Sequence, residues 1–283
     1  MPRRRRHPPP FGLPGGAPVT DDPRYRRLLS QIPGVTGEEV TCACHIHVGI
    51  ASRDLAVAVL NRIRGWLPVL LALGGNSPLW EGRDTGWSSY RYVLQKRWPT
   101  FTVPPRCADA AAYDELVTRL IAVSGAIDPR SVYFFARLSP RYPTVEIRIP
   151  DACLDVDDAV LLAALGRALV ATGIADEEAG RPVAPVPARW LGDACSAAAR
   201  RGLDGRLLDP QRGTRVPGWA ALEALVECVM PALDGAGDQD AVRQLLPERM
   251  ARGSGTAAQR TLLRRGTDRS GFVAALAART SGR

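Results

Sequence analysis

The chain has 283 residues, 46% of them apolar and 23% charged, which is enough apolar material for one sizeable core and excludes a chain disordered throughout. Its net charge of +8 rests on 37 basic residues, all arginine except Lys96, scattered over the whole length. With no zinc-finger, homeodomain or RNP signature to gather them, the arginines support only non-specific attraction to polyanions, and nucleic acid is not the expected partner.

The run from Met1 to Gly16 carries four arginines followed by prolines and glycines, with no apolar stretch behind the charges. It predicts a flexible lead-in (1–16) to a single domain over 17–283. Asp21 to Gln31 predicts a short helix with Pro23 near its first turn, stopped by Pro33 and Gly34. Val40 to Ile50 alternates small or β-branched residues with polar ones and predicts a strand.

From Arg53 to Leu73, the residues Leu55, Val59, Leu60, Ile63, Leu67, Leu70 and Leu71 form one apolar stripe, so a helix is expected, kinked at Pro68 and ended by Gly74 and Gly75. The residues from Asn76 to Pro105 show no strong periodicity and suggest a functional loop. Asp109 caps a helix to Ser124, Val132 to Ser139 and Thr144 to Ile149 predict two more strands, and Asp155 or Val156 opens an apolar helix to about Ala175.

Asp176 to Pro187 predicts a linker or surface loop, and from Ala188 onward the pattern is helical throughout. The expected class is α+β: a partial antiparallel sheet cradle with helices on one face and a helical C-terminal part. The longest apolar run, Trp66 to Leu73, is far short of the ~20 residues of a membrane span, so no membrane partner is expected. Six cysteines without a C-x-x-C pair fit a reduced, cytoplasmic protein.

Two of the strands share one design. Cys44, Ile46, Val48 and Ile50 point one way while Ala43, His45, His47 and Gly49 point the other, and Val145, Ile147 and Ile149 oppose Thr144, Glu146 and Arg148. Each strand thus has an apolar back and an ionisable front. Glu146 offers a hard oxygen suited to magnesium, Arg148 a planar fork suited to phosphate, and Arg137 on the neighbouring strand is placed to join them. Simple solvation of these polar faces is the competing reading.

The run Thr41-Cys42-Ala43-Cys44-His45-Ile46-His47-Val48-Gly49-Ile50, with Arg53-Asp54 and Leu60-Asn61-Arg62 behind it, resembles the central motif of the type 2 glutamate–cysteine ligase family. The resemblance continues through Asn76-Ser77-Pro78, Gly82-Arg83-Asp84-Thr85-Gly86, Ser89-Tyr90-Arg91, Arg97-Trp98-Pro99 and Thr144-Val145-Glu146-Ile147-Arg148. It implies a glutamine-synthetase-like catalytic fold and an ATP- and Mg²⁺-dependent carboxylate-amine ligase. Such an enzyme phosphorylates the γ-carboxylate of glutamate and lets cysteine or another amine displace phosphate.

Carried over by position, the resemblance implies that His45 and Glu146 are metal ligands, that His47 contacts phosphate or acyl phosphate, and that Arg148 clamps phosphate oxygens. Arg83 and Arg91 would hold the substrate carboxylate or phosphate. Small-molecule substrates are the partners it implies, and a homo-oligomer is a further expectation that no motif carries. Family members usually open with a Gly-x-Glu-x-Glu strand facing the histidine strand, and no such segment occurs here, so an N-terminally shortened domain is expected. A catalytically inactive nucleotide- or partner-binding homologue is the alternative.

Overall fold

The computed structural model describes residues 19–32, 35, 41–183 and 186–282. The lead-in expected for 1–16, and Val40 at the head of the expected histidine strand, lie outside the described residues. Helix α1 (Pro23–Gln31) begins where Asp22 accepts a hydrogen bond from the Arg24 amide, and Arg24 and Asp128 form an ion pair at 2.5 Å. Strand β1 (Ile46–Gly49) is shorter than the expected span. Residues 41–45 run beside 150–152 only through an isolated bridge, Ala43 with Asp151, and bonds such as Cys44 N to Pro150 O at 3.1 Å.

Ser52 caps α2 (Arg53–Ile63), a 3₁₀ turn follows over Arg64–Trp66, and α3 (Leu67–Leu73) completes the apolar stripe. The break falls just before Pro68 and not at it, because a proline costs no hydrogen bond in the first turn of a new helix. The stretch 76–105, expected to be loop, holds a minimal hairpin of β2 (Leu79–Trp80) and β3 (Arg83–Asp84), then α4 (Tyr90–Gln95) capped by Ser89. Elements of two and six residues are too short to show a period.

Helix α5 (Ala110–Val123) has the Asp109 cap expected of it, and β4 (Ala136–Leu138) and β5 (Thr144–Ile147) are the centres of the two further strands. Helix α6 (Val156–Glu178) outlasts its expected end by three residues, and α7 (Ala188–Arg201) follows. The all-helical expectation for the rest is corrected by a hairpin of β6 (Arg206–Asp209) and β7 (Thr214–Pro217). Leu207 and Leu208 are both buried, so β6 lacks the alternation that announces a strand. The chain ends in α8 (Gly218–Gly235), α9 (Gln239–Arg252), α10 (Gly255–Arg264) and α11 (Arg269–Thr280).

The main sheet is antiparallel with order β1-β5-β4. Its back carries Ile46, Val145, Ile147, Ala136 and Leu138, all buried, each large aliphatic contributing about 1.5–3 kcal/mol by leaving water. Helix α6 crosses this back at Gly166, where a side-chain Cβ would lie 3.1 Å from Ile46. Helices α2 and α8 flank α6, α3 packs on α7, and the α+β class with helices on one sheet face is the architecture observed. The stretches 53–73 and 156–178 are long and apolar enough to cross a bilayer, but 78% and 56% of their apolar windows are buried in this core.

Candidate functional site

The free face of the sheet carries the ionisable front. Register places His47, Glu146 and Arg137 in one row across three strands, since His47 pairs with Glu146 on one side and Arg137 pairs with Glu146 on the other. Between the Ala43–Asp151 bridge and the Ile46–Ile147 pair, three steps on one chain face four on the other. That extra residue is a bulge-like break, a feature that re-aims side chains, and it lies where His45 and Arg148 leave the sheet.

Glu146 is the centre of the cluster and only 4% exposed, while His45 and His47 beside it remain open to solvent. Its Oε2 accepts from Arg137 Nε at 2.8 Å, and its Oε1 accepts from Arg148 Nη1. His45 Nδ1 stands 3.3 Å and His47 Nε2 3.5 Å from the same Oε1. Burial opposes its ionisation, yet the His45 hydrogen bond and the Arg148 and Arg137 charges hold its carboxyl well below the usual carboxylate range.

Burial lowers the His45 pKa against the pull of Glu146, with Arg148 adding repulsion, so the ring is neutral near pH 7. Its Nδ1 lies 3.3 Å from Arg148 Nη1 as well, so this one ring nitrogen faces both the carboxylate and the guanidinium. Burial first, and then Arg137, push Arg148 down to about 10, so it stays cationic. His47 is aimed by Thr144, whose Oγ1 lies 2.9 Å from Nδ1, and by the edge of the Tyr142 ring at 6.0 Å between centroids.

The other expected residues divide. Arg137 belongs to the cluster but is spent on structure, since besides Glu146 its Nη1 donates to the carbonyls of Val132 at 2.6 Å and Arg130 at 3.0 Å. Arg91 is 3% exposed, and its Nε donates to Asp151 at 2.8 Å while its Nη2 donates to the Ile149 carbonyl. Arg83 stands exposed on β3 and takes no part in the cluster. A cavity of about 340 Å³ opens beside the front, lined among others by His45, Arg91, Gln95, Tyr133 and Arg148.

Sequence reasoning missed Asp151, the fully buried anchor beneath this cavity. It accepts from Asn76 N, Ser77 Oγ, Ser89 Oγ and Arg91 Nε, each at 2.8 Å. Its only signal was its place at the end of the Glu-x-Arg strand segment. It missed Gln95 and Tyr133 too, which no local pattern marks.

Magnesium fits this donor set poorly. Mg²⁺ demands near-octahedral oxygen ligation, whereas both Glu146 oxygens are held by guanidinium groups and the neighbouring donors are imidazole nitrogens. Among the described residues no three His, Cys, Asp or Glu side chains converge as a metal-holding group. The front is cationic on balance, with two arginines around one carboxylate, and such a surface attracts oxyanions.

A helix-backed antiparallel sheet is the framework that the family resemblance led one to expect. The chain belongs to glutamate–cysteine ligase family 2, whose family model matches residues 12–278. A protein of Frankia alni, provisionally named glutamate–cysteine ligase 2-2, is 45% identical over 242 residues, 86% of this chain and 63% of that relative. One of Saccharopolyspora erythraea, provisionally named glutamate–cysteine ligase 2-1, is 42% identical over 92% of this chain and 69% of the relative. One of Mycolicibacterium vanbaalenii, provisionally named glutamate–cysteine ligase 2-2, is 41% identical over 96% of this chain and 74% of the relative. The chain thus spans less than two thirds of the length of the Frankia relative.

Proposed function

We propose that this chain supplies the oxyanion-binding side of an ATP-dependent carboxylate-amine ligase, which joins the γ-carboxylate of glutamate to cysteine or a similar amine through an acyl phosphate. One observation carries the reading: a cationic front of Arg148 and Arg137 around Glu146, flanked by His45 and His47, at the mouth of a cavity. Phosphoryl transfer to a carboxylate needs charge stabilisation on the transferring oxygens more than covalent help from the protein.

In this reading Arg148 meets the phosphate oxygens. Glu146 is its positioning partner, because a guanidinium held on one edge by a carboxylate keeps its other edge aimed. His47, fixed by Thr144 on one ring nitrogen, presents the other to the same front. Neutral His45 is able to accept a proton or a hydrogen bond without adding repulsion. Arg91 and Asp151 act beneath the cavity as its floor. Magnesium carries no step here, because the front as arranged holds no cage for it.

The test is phosphate release from ATP in the presence of glutamate and cysteine. Arg148→Met should lower turnover by about 10² or more, the size of effect seen on removing a charge-stabilising group. Glu146→Gln should abolish turnover while the fold, followed by circular dichroism, persists. Full turnover in both variants would remove this front from the chemistry.

A second reading is favoured by the saturation of Glu146 with arginine: a homologue that binds nucleotide without turnover. Calorimetric binding of ATP, lost in Arg148→Met and accompanied by no phosphate release in the wild type, would decide for it.

A further inference from the structure

Four arginines are buried among the described residues: Arg64, Arg91, Arg137 and Arg249. Three have an acid beside them, Asp151 at 2.8 Å for Arg91, Glu146 at 2.8 Å for Arg137 and Asp158 at 3.2 Å for Arg249. Arg64 has none. It is 5% exposed, its Nε is sealed from solvent without a hydrogen-bond partner, and among the described residues no carboxylate or carbonyl meets its guanidinium.

A buried charge without a counter-ion is costly, and proteins keep such groups only where something else offsets the cost. The surroundings of Arg64 make the deficit larger. Burial first, and then the neighbouring Arg106, act against its charge, while only Cys107 opposes them. The neighbouring residues are held in place. Asn61 ties the 105–107 segment to the end of α2 through Cys107, donating to its carbonyl at 2.7 Å and accepting from its amide at 3.3 Å.

Arg62, on the same turn, is already committed to Glu177 at 2.8 Å and 2.6 Å. Gly65 is pressed against Pro210, where an added Cβ would lie 2.7 Å away, so the 3₁₀ turn that holds Arg64 has little room to move. The result is a buried Arg64 one turn beyond Asn61, an exposed Arg106 next to the Cys107 that Asn61 ties down, and no ion pair on either arginine among the described residues.

We propose that Arg64 and Arg106 form a binding site for a small oxyanion, a phosphate or carboxylate group, distinct from the sheet front. Neither residue lines the cavity beside that front. The planar fork of arginine suits the paired oxygens of such groups, and one anion held between two forks would supply the counter-charge that Arg64 lacks. The site does not depend on the ligase reading, since it uses none of the residues assigned to that chemistry.

The test is thermal unfolding with inorganic phosphate against sodium chloride at matched ionic strength, for the wild type and for Arg64→Met, Arg106→Gln and Arg148→Met. Phosphate at ten times its dissociation constant should raise the melting temperature of the wild type and of Arg148→Met by about 2 °C beyond chloride. Arg64→Met made in the Arg148→Met background should show no such rise, and Arg64→Met alone should melt at least as high as the wild type in chloride, because no buried cation is left unpaired. Arg106→Gln should bind phosphate at least tenfold more weakly by calorimetry.

A wild type without a phosphate-specific shift, or a double variant that responds like Arg148→Met, overturns the site. Loss of the response in Arg148→Met places the anion at the sheet front and overturns it too. A shift that follows protein concentration and not phosphate assigns the missing acid to a second copy, against a small-ligand site. Should Arg64→Met fail to fold, unchanged affinity in Arg106→Gln is the refuting result.

Discussion

Replacing Asp151 with alanine is the sharpest test of what holds the candidate cavity in place. In the folded protein this carboxylate is fully buried and collects four donors at 2.8 Å, from Asn76, Ser77, Ser89 and Arg91. Its loss leaves the Arg91 guanidinium buried beside two unsatisfied hydroxyls and one amide. Breaking a buried pair in this way costs about 3–5 kcal/mol.

An unfolding entropy of about 2.1 cal/mol/K per residue over 283 residues gives about 0.6 kcal/mol/K, so the melting temperature should fall by about 5–8 °C. The double variant Asp151→Ala with Arg91→Met should recover part of that loss, because the stranded charge goes with its partner. Urea and thermal denaturation measure both. A loss under about 1 kcal/mol for Asp151→Ala, or a double variant less stable than the single one, would refute this account of the anchor.

The pH dependence follows from His45, whose pKa in the folded protein lies below its ordinary 6.5 because of burial. The unfolded chain therefore binds the extra proton first, and stability should fall as pH drops below about 7 toward the depressed folded value. His45→Asn should flatten that slope in denaturation at pH 5 to 8, and an unchanged slope would acquit His45. Gly218→Ala should destabilise the protein by several kcal/mol, since its Cβ would lie 2.3 Å from the Leu203 carbonyl oxygen, a backbone atom. A melting temperature within about 1 °C of wild type would contradict it. Thr144→Val should cost about 1 kcal/mol by removing the bond to His47, with Thr144→Ser restoring it; equal melting temperatures for the two variants would sever that link.

Much of the fold was legible because it is local. The Asp109 cap, the apolar stripe of 53–73 and the alternation of Val145 and Ile147 with Thr144 and Glu146 all express a period within one element. The β6–β7 hairpin and α4 were hidden for the same reason in reverse. Leu207 and Leu208 are adjacent and both buried, and Tyr90–Gln95 is less than two turns long, so neither shows a period to count.

The sequence alone determined that two strands each carry an ionisable side, with His47 on one and Glu146 on the other, because alternation along a strand is a property of the backbone. Only the tertiary structure decided what those groups do to one another. Cross-strand register put Arg137 opposite Glu146, and a one-residue break in pairing turned Arg148 and His45 onto the same carboxylate. It also left Arg91 with Asp151 and Arg64 with no acid among the described residues. Charge pairing acts over a few ångströms, whether the partners are two positions apart as in Arg148 and Glu146 or sixty as in Arg91 and Asp151, and no period along the chain records it.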